Sequence, residues 1–361
     1  MPALLTDAAT QDPQDMRAAV RAFPDHLDVG WTRAAAVDDL ARFFETPADG
    51  AFDPGALNGV VLAGMGGSAI GGDLVRTLVQ AESPVPFEVV RGYSMPGWVS
   101  ERTLVIASSY SGGTEETLSA YADAQTRGAR VVVVTSGGEI AEKAEAAGHP
   151  TVTIPGGLQP RAALGYSLGA VLRLARALGL VSLPDADYHE ALQEAKDRAT
   201  LHDLDDDSNP ARALSEAYVG NLPVVYTGAG LMEAVAMRWR TQLHENAKHP
   251  AYGNVFPELD HNEIMGYESG PEDLLSRMHV EVLRDRDDHP QVQKRYTATR
   301  DLVADTVHGW TEVESEGESR LARVLSLVQL GDAASYWLAV RKGVDPTPVE
   351  TIQALKRQLV D

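Results

Sequence analysis

An apolar, β-branched run at residues 104–107 breaks at once into hydroxyls and glycines and then into a helix start, in the stretch TLVIASSYSGGTEETL, residues 103–118. No other stretch constrains the fold as much. A short apolar run bounded by turn residues reads as a strand buried on both faces. Thr114, followed by Glu115 and Glu116, reads as a helix N-terminus. Strand, loop and helix in that order imply a parallel sheet covered by helices. The loop offers the hydroxyls of Ser109, Ser111 and Thr114, while Gly112 and Gly113 let the backbone turn its amides inward. The first helical turn adds unpaired N–H groups carrying partial positive charge. A tight turn capped by Thr114 uses the same residues. Three hydroxyls within six residues at a helix start favour an anion cradle of phosphate size. The loop lacks the lysine of GxxxxGK[ST], which points to holding a phosphate that does not itself react.

The pattern recurs on either side. GVVLAGMGGSAIGG, residues 59–72, is a strand running into a glycine loop and a helix. Gly64, Gly66 and Ala69 formally match the dinucleotide fingerprint. That site needs an acidic residue closing the next strand, and FEVVRGY ends in Arg91 with Glu88 at its beginning. The backbone of Gly66 and Gly67 and the hydroxyl of Ser68 suit the same phosphate as the Ser109 loop. Further strands near 88–91, 130–134 and 151–154 join the one that opens 59–72 and the one at 103–107 in a five-stranded parallel sheet wound with helices on both faces. Arg161, after Pro160, precedes a helix rich in Ala, Leu and Gly that would hold it near the strand ends. By itself it reads equally as a surface arginine.

At 361 residues the chain has room for two domains, predicted at 1–184 and 185–361 across an acidic crossover spanning 184–210. A net charge of −21 argues against a nucleic-acid partner. No apolar run reaches membrane-spanning length, and MPALLTDAATQD lacks a signal peptide's basic end and apolar centre, so the expected location is the cytoplasm. The absence of cysteine excludes disulfides and thiolate metal sites. The N-terminus is predicted as two packing helices, one ending before Pro24 and one over 32–44.

The second half repeats the first. VVLAGMG at 60–66 returns as VVYTGAG at 224–230, with Arg76 and Arg240 at matching offsets. Strands are predicted near 222–227, 277–283 and 306–313, yet no SxSGGT loop recurs, so this copy must contribute something else. The candidate is HENAKHPAYGNVFPELDHNEIMGY, residues 244–267, with Glu245 near the end of an apolar-striped helix and His261 sixteen residues on. HExxH spacing fails, because His244 and His249 are five apart and Pro250 follows, and no metal site is expected. Taken alone, Glu245 and His261 read as solvated or structural groups. The last helix, predicted to bury Val349, Ile352, Leu355 and Leu359, carries Lys356 at its solvated border.

GMGGSAIGGDL, SSYSGGTEETL, PRAALGYSLGA, ENAK, FPELDHNE and GVDPTPVETIQALK together resemble the bifunctional phosphoglucose/phosphomannose isomerase family, built from two sugar isomerase (SIS) domains. The SSYSGGTEE loop marks SIS domains generally; ENAK followed by FPELDHNE is more specific. The resemblance implies an α/β fold of two SIS domains, each a flavodoxin-like or Rossmann-like parallel sheet flanked by helices. It implies that Ser68, Ser109, Ser111 and Thr114 bind a sugar phosphate, that Arg161 stabilises an enediolate, and that Glu245 moves the proton between C1 and C2. His261 and Lys356 would serve ring opening. Where the family commonly reads NHNE, this chain has DHNE, and Asp260 makes the surroundings of His261 more acidic. The resemblance also implies a homodimer with shared sites and needs no cofactor. A sugar-phosphate-sensing SIS protein would keep the cradle without needing Glu245 or His261, and the ENAK and DHNE pair disfavours a different SIS enzyme acting on aminosugar phosphates.

Overall fold

The apolar runs of the first half pair as β1 (Gly59–Ala63), β2 (Phe87–Val90), β3 (Thr103–Ser109), β4 (Arg130–Thr135) and β5 (Thr151–Thr153), in a computed structural model that describes residues 10–35, 37, 56–203 and 208–359. All pairings are parallel and the strand order is β2-β1-β3-β4-β5. Every residue of β1 and β3 is buried, as a strand covered on both faces requires. Helices α3 (Gly66–Val79), α4 (Glu115–Thr126), α5 (Glu139–Ala147) and α6 (Leu164–Ala177) alternate with the strands. On one side of the sheet Val61, Val105 and Val133 pack with Tyr121 and Ile140. Because the order reverses between β1 and β3, the loops after these two strands open a crevice at their carboxyl ends, where such sheets bind ligands.

Two N-terminal helices form, α1 (Met16–Arg21) and α2 (Phe23–Ala35). The break falls at Ala22 and not at Pro24, since a proline in the first turn forfeits no intrahelical hydrogen bond. Most of the helix expected over 32–44 lies outside the described residues.

The chain divides into Ala22–Lys196 with Gly317–Ala322, and a second unit holding Asp197–Glu316, the described residues up to Arg21 and those from Arg323 on. The expected boundary at 184/185 thus lies inside the first unit, at the start of helix α7 (Asp185–Asp197).

The second unit builds β6 (Leu222–Gly228), β7 (Tyr252–Phe256), β8 (Met278–Arg284) and β9 (Gly309–Glu314), again all parallel, in the order β7-β6-β8-β9. This is the first sheet's order without its fifth strand. Strand β7 is not expected from the sequence, because Gly253 and Asn254 break the apolar alternation and Pro250 and Pro257 bracket it. Helices α8 (Pro210–Tyr218), α9 (Glu233–Glu245), α10 (Pro290–Val303) and α11 (Arg320–Lys342, in this unit from Arg323 on) surround it. In α9 the Trp239 indole donates to the Leu327 carbonyl at 2.7 Å, and Arg238 pairs with Asp332 at 2.6 Å with both side chains buried. The pair fixes α9 against α11, since breaking a buried ion pair costs about 3–5 kcal/mol.

One expectation fails. In the last helix, α12 (Glu350–Gln358), Ile352, Leu355 and the following Leu359 are 44%, 56% and 70% exposed. Periodicity identifies an apolar face; it does not say that the chain's own fold covers it. Among the described residues no helix is long and apolar enough to cross a membrane.

Candidate active site

The loop after β3 folds inward on its own hydroxyls. Ser109 donates to the Thr114 hydroxyl at 3.1 Å and accepts the Gly112 amide at 3.1 Å, while the Ser111 and Thr114 hydroxyls lie 3.4 Å apart. Ser109 is buried and Ser111 exposed, so one organises the loop and the other is left open to solvent. Gly112 has φ +71°, and a β-carbon there would lie 1.7 Å from the Gly137 carbonyl, so only glycine fits. Thr114 is the N-cap of α4 but makes no side-chain capping bond, and its hydroxyl is turned into the serine cluster instead. The Tyr110 amide donates to the buried Ser68 hydroxyl at 3.1 Å, which joins this loop to the glycine loop of β1.

Arg161 comes to the same place. The turn before α6 brings Pro160 and Arg161 against Gly67, and Arg161 is buried, only 3% exposed. Burying a guanidinium is costly without a purpose, and the surface reading is excluded. Arg91, bound by Asp73 of α3, directly follows β2, the place where a dinucleotide ribose needs a carboxylate.

In the second unit, Glu245 ends α9 and lines a cleft of about 560 Å³ with His244, Lys248, Asp345, Val349 and Ile352 among its walls. The neighbouring Asn246 side chain donates to Ser335 at 3.0 Å, and the Lys248 ammonium reaches the carbonyls of Glu245 and Asp345, each at 2.8 Å. Lys342 donates to the carbonyls of Ala247 and Lys248 at 2.9 and 3.2 Å. Lys248 therefore caps the negative carboxyl end of α9 and ties it to the segment at Asp345, while Lys342 holds the turn that follows the helix. In the sequence the lysine of ENAK is only part of a motif, because backbone acceptors leave no trace there.

His261 sits, exposed, at the end of a 3-10 turn (Glu258–His261) that follows β7. Asp260 beside it does not face the imidazole: its carboxylate accepts from Arg295 at 2.7 Å and Thr299 at 2.9 Å on α10. Lys356 is exposed on α12. Neither His261 nor Lys356 lines the Glu245 cleft. Ser68, Ser109, Ser111, Thr114, Gly66, Gly67, Gly112, Gly113 and Arg161 thus gather in one unit, and Glu245, His261 and Lys356 occupy separate positions of the other. Among the described residues no cluster of three or more His, Cys, Asp or Glu side chains is arranged to hold a metal ion.

The chain is 45% identical over 304 residues to a bifunctional phosphoglucose/phosphomannose isomerase of Caldicellulosiruptor bescii, covering 84% of this chain and 89% of that protein. It belongs to the bifunctional phosphoglucose/phosphomannose isomerase family. The family's namesake from Aquifex aeolicus is 37% identical over 302 residues, or 83% of this chain and 90% of the relative. Residues 207–359 match the bacterial phospho-glucose isomerase C-terminal SIS domain, which makes the β7-β6-β8-β9 sheet an SIS sheet in its own right. A crystal structure of a hypothetical protein from Thermus thermophilus superposes with a TM-score of 0.72 at 18% identity, covering 100% of this chain and 95% of that one, and so shares the fold. In this family member the second SIS domain keeps the strand order of the first and replaces its hydroxyl loop. After β8 stand Asp285, Asp287 and Asp288, and buried Arg323 bonds to the first two. The carboxylates of such a loop repel an anion where the hydroxyls of the first would accept one.

Proposed function

We propose that the protein interconverts glucose 6-phosphate and mannose 6-phosphate with fructose 6-phosphate through a cis-enediol. The reading rests on the cradle after β3, where the Ser109, Ser111 and Thr114 hydroxyls converge beside a glycine locked at positive φ. It fits a phosphate that is held and not transferred, as an isomerase of sugar phosphates requires. The relatives' names carry the same activity.

The chemistry divides among few groups. The cradle and Ser68 hold the phosphate. His261, helped by Lys356, removes the proton from O1 and delivers one to O5, which cleaves the ring C1–O5 bond and leaves an open-chain aldehyde. Glu245 then takes the proton from C2, the electron pair forms the C1–C2 double bond, and negative charge develops on O1. Arg161 stabilises that charge. Protonation of O1, loss of the proton on O2 and return of a proton from Glu245 to C1, with the carbonyl forming at C2, give fructose 6-phosphate. The enediol is planar at C2, so both 2-epimers converge on it and one carboxylate serves both substrates. We further infer a homodimer with shared sites: His261 is exposed on its turn and the Ile352, Leu355 and Leu359 face is open, as residues completed by a second copy would be. Function in the cytoplasm accords with this metabolism.

The test is a coupled assay of the purified protein with each aldose phosphate in the presence of a chelator, alongside Glu245→Gln. Both activities are expected in the wild type and both are expected to fall by about 10² to 10⁴ in the variant while sugar-phosphate binding persists. Loss of one activity alone would overturn the single-base reading.

A further inference from the structure

Between Glu258 and Glu263 every side chain except that of His261 is engaged, either within the turn or elsewhere in its own unit. Leu259 is fully buried and packs with Phe256, Tyr267 and Tyr296 in the core of the second sheet. Asp260, its side chain only 9% exposed, accepts from Arg295 at 2.7 Å and Thr299 at 2.9 Å, one turn apart on α10. The Asn262 amide donates to Glu258 at 2.7 Å, and its oxygen accepts the Glu263 amide at 2.6 Å. One Glu263 oxygen accepts from Tyr226 of β6, and the other accepts from Asn254 of β7 at 2.7 Å. Tyr226 is also in short contact with the Tyr267 hydroxyl, and burial holds its own phenol far above the usual range, which leaves it a donor. The turn is therefore fastened on one side of His261 to α10 and on the other to two strands, and the imidazole between them is exposed to solvent.

Hydrogen bonds to ionised carboxylates are about twice as strong as neutral ones, and each carboxylate here is bonded through both oxygens. A group that must take a proton from one ring oxygen and deliver one to another has to be held to a fraction of an ångström. With its ring in solvent, the imidazole has its position fixed only as far as the backbone fixes the Cα–Cβ bond from which it swings.

We propose that Asp260 and Glu263 are positioning residues for His261, stapling its turn to α10 and to the β6–β7 edge so that the backbone and Cα–Cβ bond from which the ring reaches are held in one place. This rests on the reading of His261 as the ring-opening group. The aspartate, which the sequence marks only as an acidic neighbour, acts by facing away from the histidine.

A double-mutant cycle tests it. Asp260→Ala and Glu263→Gln are expected to lower kcat on glucose 6-phosphate about tenfold or more with KM changed less than about threefold, because the phosphate grip lies in the other unit. In a His261→Ala background neither substitution is expected to reduce kcat further, whereas a purely structural role would subtract in both backgrounds. Asp260→Asn, which still accepts from Thr299, is expected to recover part of the loss. Should Asp260→Ala not fold, Arg295→Gln removes one partner and is expected to follow the same cycle. Wild-type kcat in these variants, or equal losses with and without His261, would overturn the proposal. Wild-type turnover by His261→Ala itself would instead overturn the role of the histidine and the proposal with it.

Discussion

Gly67 packs its bare α-carbon against the carbonyl of Pro160: a β-carbon there would lie 2.5 Å from that oxygen and 3.3 Å from the Arg161 amide. The first glycine loop thus carries the turn that carries the buried arginine. Gly67→Ala must push this turn away, since both of those atoms are backbone and cannot swing aside. If Arg161 stabilises the enediolate as proposed, displacing it misaligns it with the charge developing in the transition state, where removing one preorganised partner costs about 10² to 10³ in kcat. Gly67→Ala is expected to approach Arg161→Ala in kcat, with a double variant hardly worse than either. Steady-state kinetics of the three proteins check this; additive losses would mean that the glycine and the arginine act separately.

The cradle separates two kinds of hydroxyl. Ser111 is exposed and has only long contacts, to the Thr114 hydroxyl at 3.4 Å and from the Gly113 amide at 3.5 Å, so Ser111→Ala is expected to weaken phosphate binding and leave thermal stability nearly unchanged. Ser109 is 1% exposed, donates to Thr114 and accepts the Gly112 amide, so Ser109→Ala is expected to raise KM and also lower stability by about 1 kcal/mol. A charge-assisted hydrogen bond to phosphate is worth about 1.5 to 3 kcal/mol, tenfold or more in KM for fructose 6-phosphate. Unchanged KM in the Ser109, Ser111, Thr114 triple alanine variant would remove the phosphate from this loop.

The difference between these serines also shows what the sequence carries. Strand, glycine loop and helix start follow from local pattern, so the first sheet and the hydroxyl loop after β3 are legible in the residues alone. Residues 252–256 are not, because β7 owes its extended form to pairing with β6 and not to its own composition. The exposure of Leu355 is equally hidden: amphipathicity names a face and leaves its partner unnamed. Asp260 is visible as a charge, but its direction depends on Arg295 and Thr299, thirty-five and thirty-nine residues away. Motifs along the chain single out Glu245 and His261; their supports come from tertiary contacts with no local signature.

One buried cluster outside this chemistry governs stability. On β8, Glu281 is fully buried and accepts from Tyr218 at 3.2 Å, and His279, two residues before it on the same strand face, bonds to Thr311 at 2.9 Å. Burial pushes the Glu281 carboxyl up to about 8 and draws the His279 imidazole down to about 4. Both groups are then neutral near pH 7, so their 3.9 Å approach is not an ion pair. The signs of the two linkages are opposite. Between its unfolded value of 4.5 and its folded value of about 8, Glu281 keeps a proton that the unfolded chain has released, so stability falls as pH rises through that window. His279, with an unfolded value of 6.5 and a folded value of about 4, lacks a proton that the unfolded chain binds, so its contribution rises with pH up to 6.5. The two largely cancel below pH 6.5, and above it only the loss from Glu281 remains. At about 1.4 kcal/mol per pH unit the loss by pH 8 is about 2 kcal/mol. Glu281→Gln keeps the shape and an acceptor for Tyr218 but does not titrate. Thermal melts from about pH 6 to about pH 8.5 are therefore expected to show the wild type losing several degrees relative to Glu281→Gln. A constant gap between them over the whole range would mean that Glu281 is already ionised in the folded protein.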